Sequence, residues 1–155
     1  MANSDLIASF LNHLTVERGA SKHTISSYRR DISKLEEFLS RHDRDFSNAS
    51  TEDIFKFIAE LRSKNLADAT IARTVVSIRT FFRFLAKEGV VDDIAREITP
   101  PKIPKRLPKA LTIAEVSALI EACGSEGVQI RDRALVELLY ASGARVSEIV
   151  SLNVK

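Results

Sequence analysis

Tryptophan is absent from these 155 residues, and cysteine and methionine occur once each. The lone Cys123 has no partner for an internal disulfide, which fits a reducing cytoplasmic compartment. No apolar run exceeds four residues, so no segment reads as a membrane-spanning helix. The opening MANSDLIASF carries no basic leader and an early Asp5, which argues against a signal peptide. The three histidines, His13, His23 and His42, show no metal-ligand spacing. No His-x-x-Arg, Walker A or Gly-x-Gly-x-x-Gly run occurs. Glycine is scarce at five, proline at four, and every proline lies between 100 and 108.

What is present is ordinary for a folded chain: 45% hydrophobic and 28% charged residues. Charge is nearly balanced at +2, but unevenly placed. Residues 1–99 carry 15 basic and 15 acidic groups; 100–110 carry four basic and none acidic; 111–155 carry four basic and six acidic. The basic, Pro-rich strap PPKIPKRLPKA suits either an anionic partner or a solvated linker. Proline disfavours helix there, so the strap separates residues 1–99 from 111–155.

Apolar residues recur at helical spacing on both sides of it. The spacing predicts a first helix burying Leu6, Ile7, Phe10, Leu11 and Leu14 and stopping at Gly19. A second starts after Ser21 and buries Ile25, Tyr28, Ile32, Leu35 and Leu39. A third follows Ser50, with Ile54, Phe57, Ile58 and Leu61 inward and Glu52 and Asp53 at the positive end of its dipole. A fourth follows Asp68, buries Ile71, Val75, Ile78, Phe82 and Leu85, and ends at Gly89. A short fifth is expected over Val91 to Glu97. Beyond the strap, Thr112 and Glu115 make a capping box for a helix to Ala122. The next runs from Val128 to Ser142, with Ile130, Ala134, Leu135, Leu138 and Leu139 inward, and Gly143 closes it. Another begins near Arg145. The fold class is all-α, with amphipathic helices forming a bundle in 1–99.

Three groups of residues could carry chemistry. On the second helix His23, Ser27, Arg30, Lys34 and Arg41 project roughly 140° to 200° from Ile25. Such a stripe can follow a DNA backbone or be a solvated face. On the fourth, Arg73, Ser77, Thr80 and Arg83 lie off the apolar stripe, with Thr70 and Thr74 on its flank. Phe84 there marks either a contact or a wider buried face. Arg145 follows Gly143 at a helix start, where it could meet a phosphate or simply pair with Glu148. Tyr28 and Tyr140 read as core, and Cys123 as a structural thiol.

These residues also carry a family resemblance. The stretch RDRALVELLYASGARVSEIVSLNV (131–154) resembles the first catalytic-domain signature of tyrosine site-specific recombinases. SKHTISSYRRDISKLEEFL (21–39) and TIARTVVSIRTFFRFLAKEG (70–89) resemble the second and fourth helices of their core-binding domain. PPKIPKRLPKALTIAEV (100–116) is similar to their interdomain linker. The blocks stand in family order along nearly the whole chain and are most similar to the bacterial Xer (XerC/XerD-like) subfamily.

The resemblance implies a SAM-like core-binding bundle of four or five helices over 1–99. It implies an interdomain linker over 100–110 and the first helices of an incomplete α+β catalytic domain over 111–155. It implies DNA contact by Lys22, His23, Ser27, Arg30, Lys34, Thr70, Arg73, Thr74, Ser77, Lys102, Lys105 and Arg106. Arg145 would be the first catalytic arginine and Glu148 its support. Neither Tyr28 nor Tyr140 matches the nucleophile's motif, so this chain alone is expected to bind DNA and not cut it. The implied function is strand cutting and rejoining through a 3′-phosphotyrosyl intermediate, for chromosome dimer resolution, with no metal, nucleotide or other cofactor. The implied partners are a double-stranded DNA recombination site, a second recombinase subunit in a homo- or hetero-tetramer and, for the Xer role, a DNA translocase at the division septum. No membrane and no small-molecule substrate enter, and the location would be cytoplasmic and nucleoid-associated. The rival expectations are a phage- or transposon-type integrase, a non-catalytic DNA-binding regulator, and a helical protein-interaction module.

Overall fold

The computed structural model describes residues 3–104 and 109–153. Among these are seven helices and no strand. The chain divides into two compact units, Met1–Lys105 and Arg106–Lys155.

The first unit holds α1 (Asn3–Val16), α2 (Lys22–Ser40), α3 (Thr51–Ser63) and α4 (Asp68–Lys87). Local chemistry sets their ends. The Ser21 hydroxyl accepts from the Thr24 N–H at 3.2 Å and starts α2. Ser50 and Asp53 cap α3 reciprocally: the Asp53 N–H donates to Ser50 Oγ at 3.3 Å, and the Ser50 N–H donates to Asp53 Oδ2 at 2.9 Å. Asp68 lies in the first turn of α4, and Ala67 holds the cap position without a side-chain bond. α4 closes in a Schellman turn, with the Val90 N–H on Leu85 O (2.9 Å) and the Gly89 N–H on Ala86 O (3.1 Å). Gly89 takes φ +68°, which a Cβ would strain.

α2 and α4 pack on each other, and α1 and α3 each pack on both. The apolar stripes meet as expected, but the core is wider and more aromatic than the stripes suggest. Phe81 lies at its centre, 5.2 Å from the Phe10 ring and 4.8 Å from Phe46, a residue of the α2–α3 loop. Both contacts are edge-to-face, the arrangement that aromatic quadrupoles favour. Phe38 and Phe84 are also buried, so Phe84 belongs to a widened inner face. Ile25 and Tyr28 are half-buried against this core.

Residues 91–97 do not form the expected short helix. Asp92 and Asp93 begin successive turns, with the Ile94 N–H on Asp92 O and the Arg96 N–H on Asp93 O. The Ile94 carbonyl accepts from Thr51 Oγ1 at 2.9 Å. That bond takes an acceptor a helix would use, while the turns bury Ala95 and Ile98.

The second unit holds α5 (Ile113–Ala122), α6 (Val128–Ser142) and α7 (Val146–Val150). Thr112 and Glu115 form the expected capping box, and Gly143 closes α6 in the left-handed conformation at φ +63°. The inward face expected on α6 is not covered. Leu135 and Leu139 are half-buried, whereas Ile130, Ala134, Leu138 and Tyr140 are exposed. Three helices do not supply enough surface to cover an apolar stripe on all sides.

Two outcomes follow for the first unit. Phe81→Ala should cost about 3–5 kcal/mol in urea unfolding, the range for emptying a packed aromatic site. The Ser50 backbone N–H and hydroxyl hold the Asp53 carboxyl below the usual aspartate range. A depressed carboxylate stabilises the fold above its unfolded pKa of about 4 and loses that contribution as pH falls through the lower folded value. Ser50→Ala should therefore cost about 1 kcal/mol at neutral pH and flatten the acid limb of a stability-versus-pH curve.

Candidate nucleic-acid interface

A 3.6-residue period sends one face of α2 into the core and leaves the other in water. Lys22, His23, Arg30 and Lys34 are exposed on α2, and Ser27 is half-buried. Neither the cations Lys22, Arg30 and Lys34 nor the His23 ring has a carboxylate within 4.0 Å among the described residues. Cations towards α3 behave differently. Arg41, on the same α2 stripe, gives two bonds to Glu60, at 2.8 and 3.1 Å. Lys64 reaches Glu60 at 2.6 Å, and Lys56 reaches Glu52 at 2.9 Å. Arg41 and then Lys64 hold the Glu60 carboxyl below its ordinary value. The stripe thus ends in a satisfied ion network and is free only over its first three turns.

α4 shows a different arrangement. Its candidates converge on Asp31, which the sequence pattern did not single out. The Asp31 carboxylate is fully buried. Arg73 Nη1 donates to its Oδ2, Ser77 Oγ donates to Oδ2 at 2.8 Å, and Thr74 Oγ1 donates to Oδ1 at 3.2 Å. Thr74 and Ser77 are 3% and 2% exposed, so the structure turns their hydroxyls inward onto Asp31. Two hydroxyls on the flank of a helix can serve a buried carboxylate as readily as a backbone outside. The only local signal for Asp31 is its position on α2, at the edge of the apolar stripe beside Ile32. Arg73 remains partly exposed and Thr70 half-buried. Further along α4, Arg83 and Lys87 are exposed. With Arg18 of the α1–α2 loop they line a cleft of about 350 Å³ floored by Phe84 and Tyr28.

In the second unit Arg145 is exposed just before α7. Its backbone N–H donates to Glu148 Oε2 at 2.7 Å, and its Nη1 donates to Oε1 at 3.0 Å. One carboxylate thus fixes both the start of the helix and the direction of the guanidinium. Lys102 is exposed, while Lys105 and Arg106 lie outside the described residues. Among the described residues no group of three or more His, Cys, Asp or Glu could hold a metal ion. No described helix is long and apolar enough to cross a membrane.

The profile of the phage integrase N-terminal SAM-like domain matches residues 7–89, and that of the phage integrase family matches residues 109–155. The chain belongs to the family of the phage integrase N-terminal SAM-like domain. It is 40% identical over 154 residues to the tyrosine recombinase XerC of Roseiflexus sp. (strain RS-1), covering 97% of this chain and 49% of that protein. It is 38% identical over 157 residues to the tyrosine recombinase XerD of Haemophilus influenzae, covering 100% of this chain and 53% of that protein. The crystal structure of XerA recombinase aligns with a TM-score of 0.53 at 24% identity, over 99% of this chain and 51% of that one, a likeness of fold. The chain spans about half the length of the curated relatives it matches.

Within the first unit, the α2–α4 network gives a testable consequence. Ser77→Ala removes one of three donors from a buried carboxylate and should cost about 1–3 kcal/mol of stability. Urea unfolding measures it; a change under about 0.5 kcal/mol, the level of an ordinary surface substitution, would contradict the network's structural role.

Proposed function

We propose that this chain is the DNA-binding portion of a site-specific tyrosine recombinase, with residues 1–99 as the core-binding domain, 100–110 as the linker and 111–155 as the start of the catalytic domain. The observation that carries this reading is the run of Lys22, His23, Arg30 and Lys34 on the outer face of α2, exposed and without ion partners among the described residues. Lys22, Arg30 and Lys34, unpaired on a rigid helix, exchange their counterions for phosphates at little cost in geometry, and that exchange drives binding to a duplex. Arg73, Thr70 and Lys102 extend the set; Thr74 and Ser77 do not contact DNA in this reading but hold the helix beneath it.

Of the strand-exchange chemistry we assign one group to this chain. Arg145 would neutralise a scissile phosphate as negative charge builds in the transition state. Glu148, bonded to its guanidinium, would be a positioning residue. The full reaction would proceed through a phosphotyrosyl intermediate, with a second recombinase subunit on paired duplexes. Chromosome dimer resolution, a septal DNA translocase as partner and a cytoplasmic, nucleoid-associated location are proposed from the likeness to XerC and XerD.

The deciding experiment titrates the chain with a short duplex over a salt series. Binding should weaken steeply with salt, and Arg30→Ala/Lys34→Ala should lower the log–log slope by up to about 0.9 for each phosphate no longer neutralised. Arg41→Ala should leave the slope unchanged, because its charge is committed to Glu60. Flat or absent binding would favour a helical protein-interaction module.

A further inference from the structure

Between α2 and α4 lies an open notch of about 310 Å³. His23, Thr24, Ser27 and Tyr28 form its α2 wall; Arg73, Val76 and Ser77 form its α4 wall. We propose that this notch is a preorganised seat for one phosphodiester of a bound duplex, and that Asp31, which touches no ligand, sets its geometry. The proposal rests on the DNA-binding reading above and adds to it a positioning residue.

Arg73 is the only described cation of this outer surface whose guanidinium is anchored from below. One nitrogen donates to the fully buried Asp31, while 42% of the side chain stays exposed. A guanidinium has five N–H donors in a fixed fork, so anchoring one nitrogen directs the others and leaves them available. Thr74 and Ser77 hold the carboxylate from the same helix, which prevents it from rotating with the arginine. Across the notch, the Ser27 hydroxyl makes no hydrogen bond among the described residues, and neither does the His23 ring. Two walls therefore present donors with no acceptor between them. The rest of the lining is Thr24, whose hydroxyl is engaged with Ser21, and Tyr28 and Val76, whose apolar surface strengthens a charge-assisted bond over its value in open water. Lys22, Arg30 and Lys34 lose side-chain freedom when they meet a phosphate; Arg73 has already lost it on folding.

The role can be separated from plain electrostatics by sign. Asp31→Asn removes a negative charge from beneath a surface that attracts an anion. Coulomb attraction alone would then rise, and DNA affinity with it. A positioning role gives the opposite result, because the asparagine offers one neutral acceptor oxygen where the carboxylate offered two charged ones, and so holds the fork more weakly. The chain and its variants are titrated with a random-sequence duplex over a salt series, with helicity and unfolding followed alongside. Asp31→Asn should bind roughly tenfold more weakly, with a slope lower by about 0.9. Arg73→Lys keeps the charge at an exposed position and removes the fork; it should bind as weakly as Asp31→Asn. The double variant should be no weaker than either single one, since all three give up the same bond to phosphate. If wild type binds with steep salt dependence and Asp31→Asn, or Arg73→Lys should the former not fold, binds as tightly or more tightly, the seat is refuted while DNA binding stands. If wild type itself does not bind, both fall together.

Discussion

One carboxylate withdrawn from water decides how α2 and α4 meet. An ion in that position is costly unless its lone pairs are filled, and Asp31 fills them from Arg73, Thr74 and Ser77 within little more than one turn of α4. Sliding α4 by a turn would leave the charge unpaired, so the register has one low-energy solution. The phenylalanines around it supply far more buried area, but burial is non-directional. The aromatic cluster gives the bundle its stability, and the carboxylate gives it its alignment. Because α2 and α4 also carry the outer cations, the same contact fixes the spacing of the surface they present.

What could be read from the sequence was what depends on near neighbours. Ser21, Ser50, Thr112, Gly89 and Gly143 act within one turn of a helix end, and the helices they bound stand where the spacing put them. The exposed set Lys22, His23, Arg30 and Lys34 was legible for the same reason, since a helical period divides inside from outside. The misses involve partners far along the chain. Asp31 meets donors 42 to 46 residues away, and nothing near position 31 announces them. Thr74 and Ser77 have the spacing of surface hydroxyls, and only that distant partner turns them inward. Arg41 shares the α2 stripe, yet Glu60 on α3 takes it. Phe46 sits in a loop, where no periodicity marks it as core. Residues 91–97 have helical composition, but Thr51 claims a carbonyl there. On α6 the apolar period is present, and exposure of Ile130 and Leu138 depends on how little protein lies around them.

The pairing of cations near α3, set against their freedom on the far side of α2, has an effect at distances where no contact exists. Residues 1–99 carry equal numbers of basic and acidic groups. A face with free positive charge is then balanced by excess negative charge elsewhere in residues 1–99, and Lys102 and Lys105 bring the unit to a small net positive charge. Such a body has a small monopole, and the separation of its charges adds a dipole. An approaching polyanion would exert little net pull on it and a strong torque, turning α2 towards itself before collision. The small net charge would then limit indiscriminate sticking, while the dipole would favour the orientation that presents α2. That division of labour weakens once the separation exceeds the Debye length, about 8 Å at physiological salt, so the turning happens in the last few water layers.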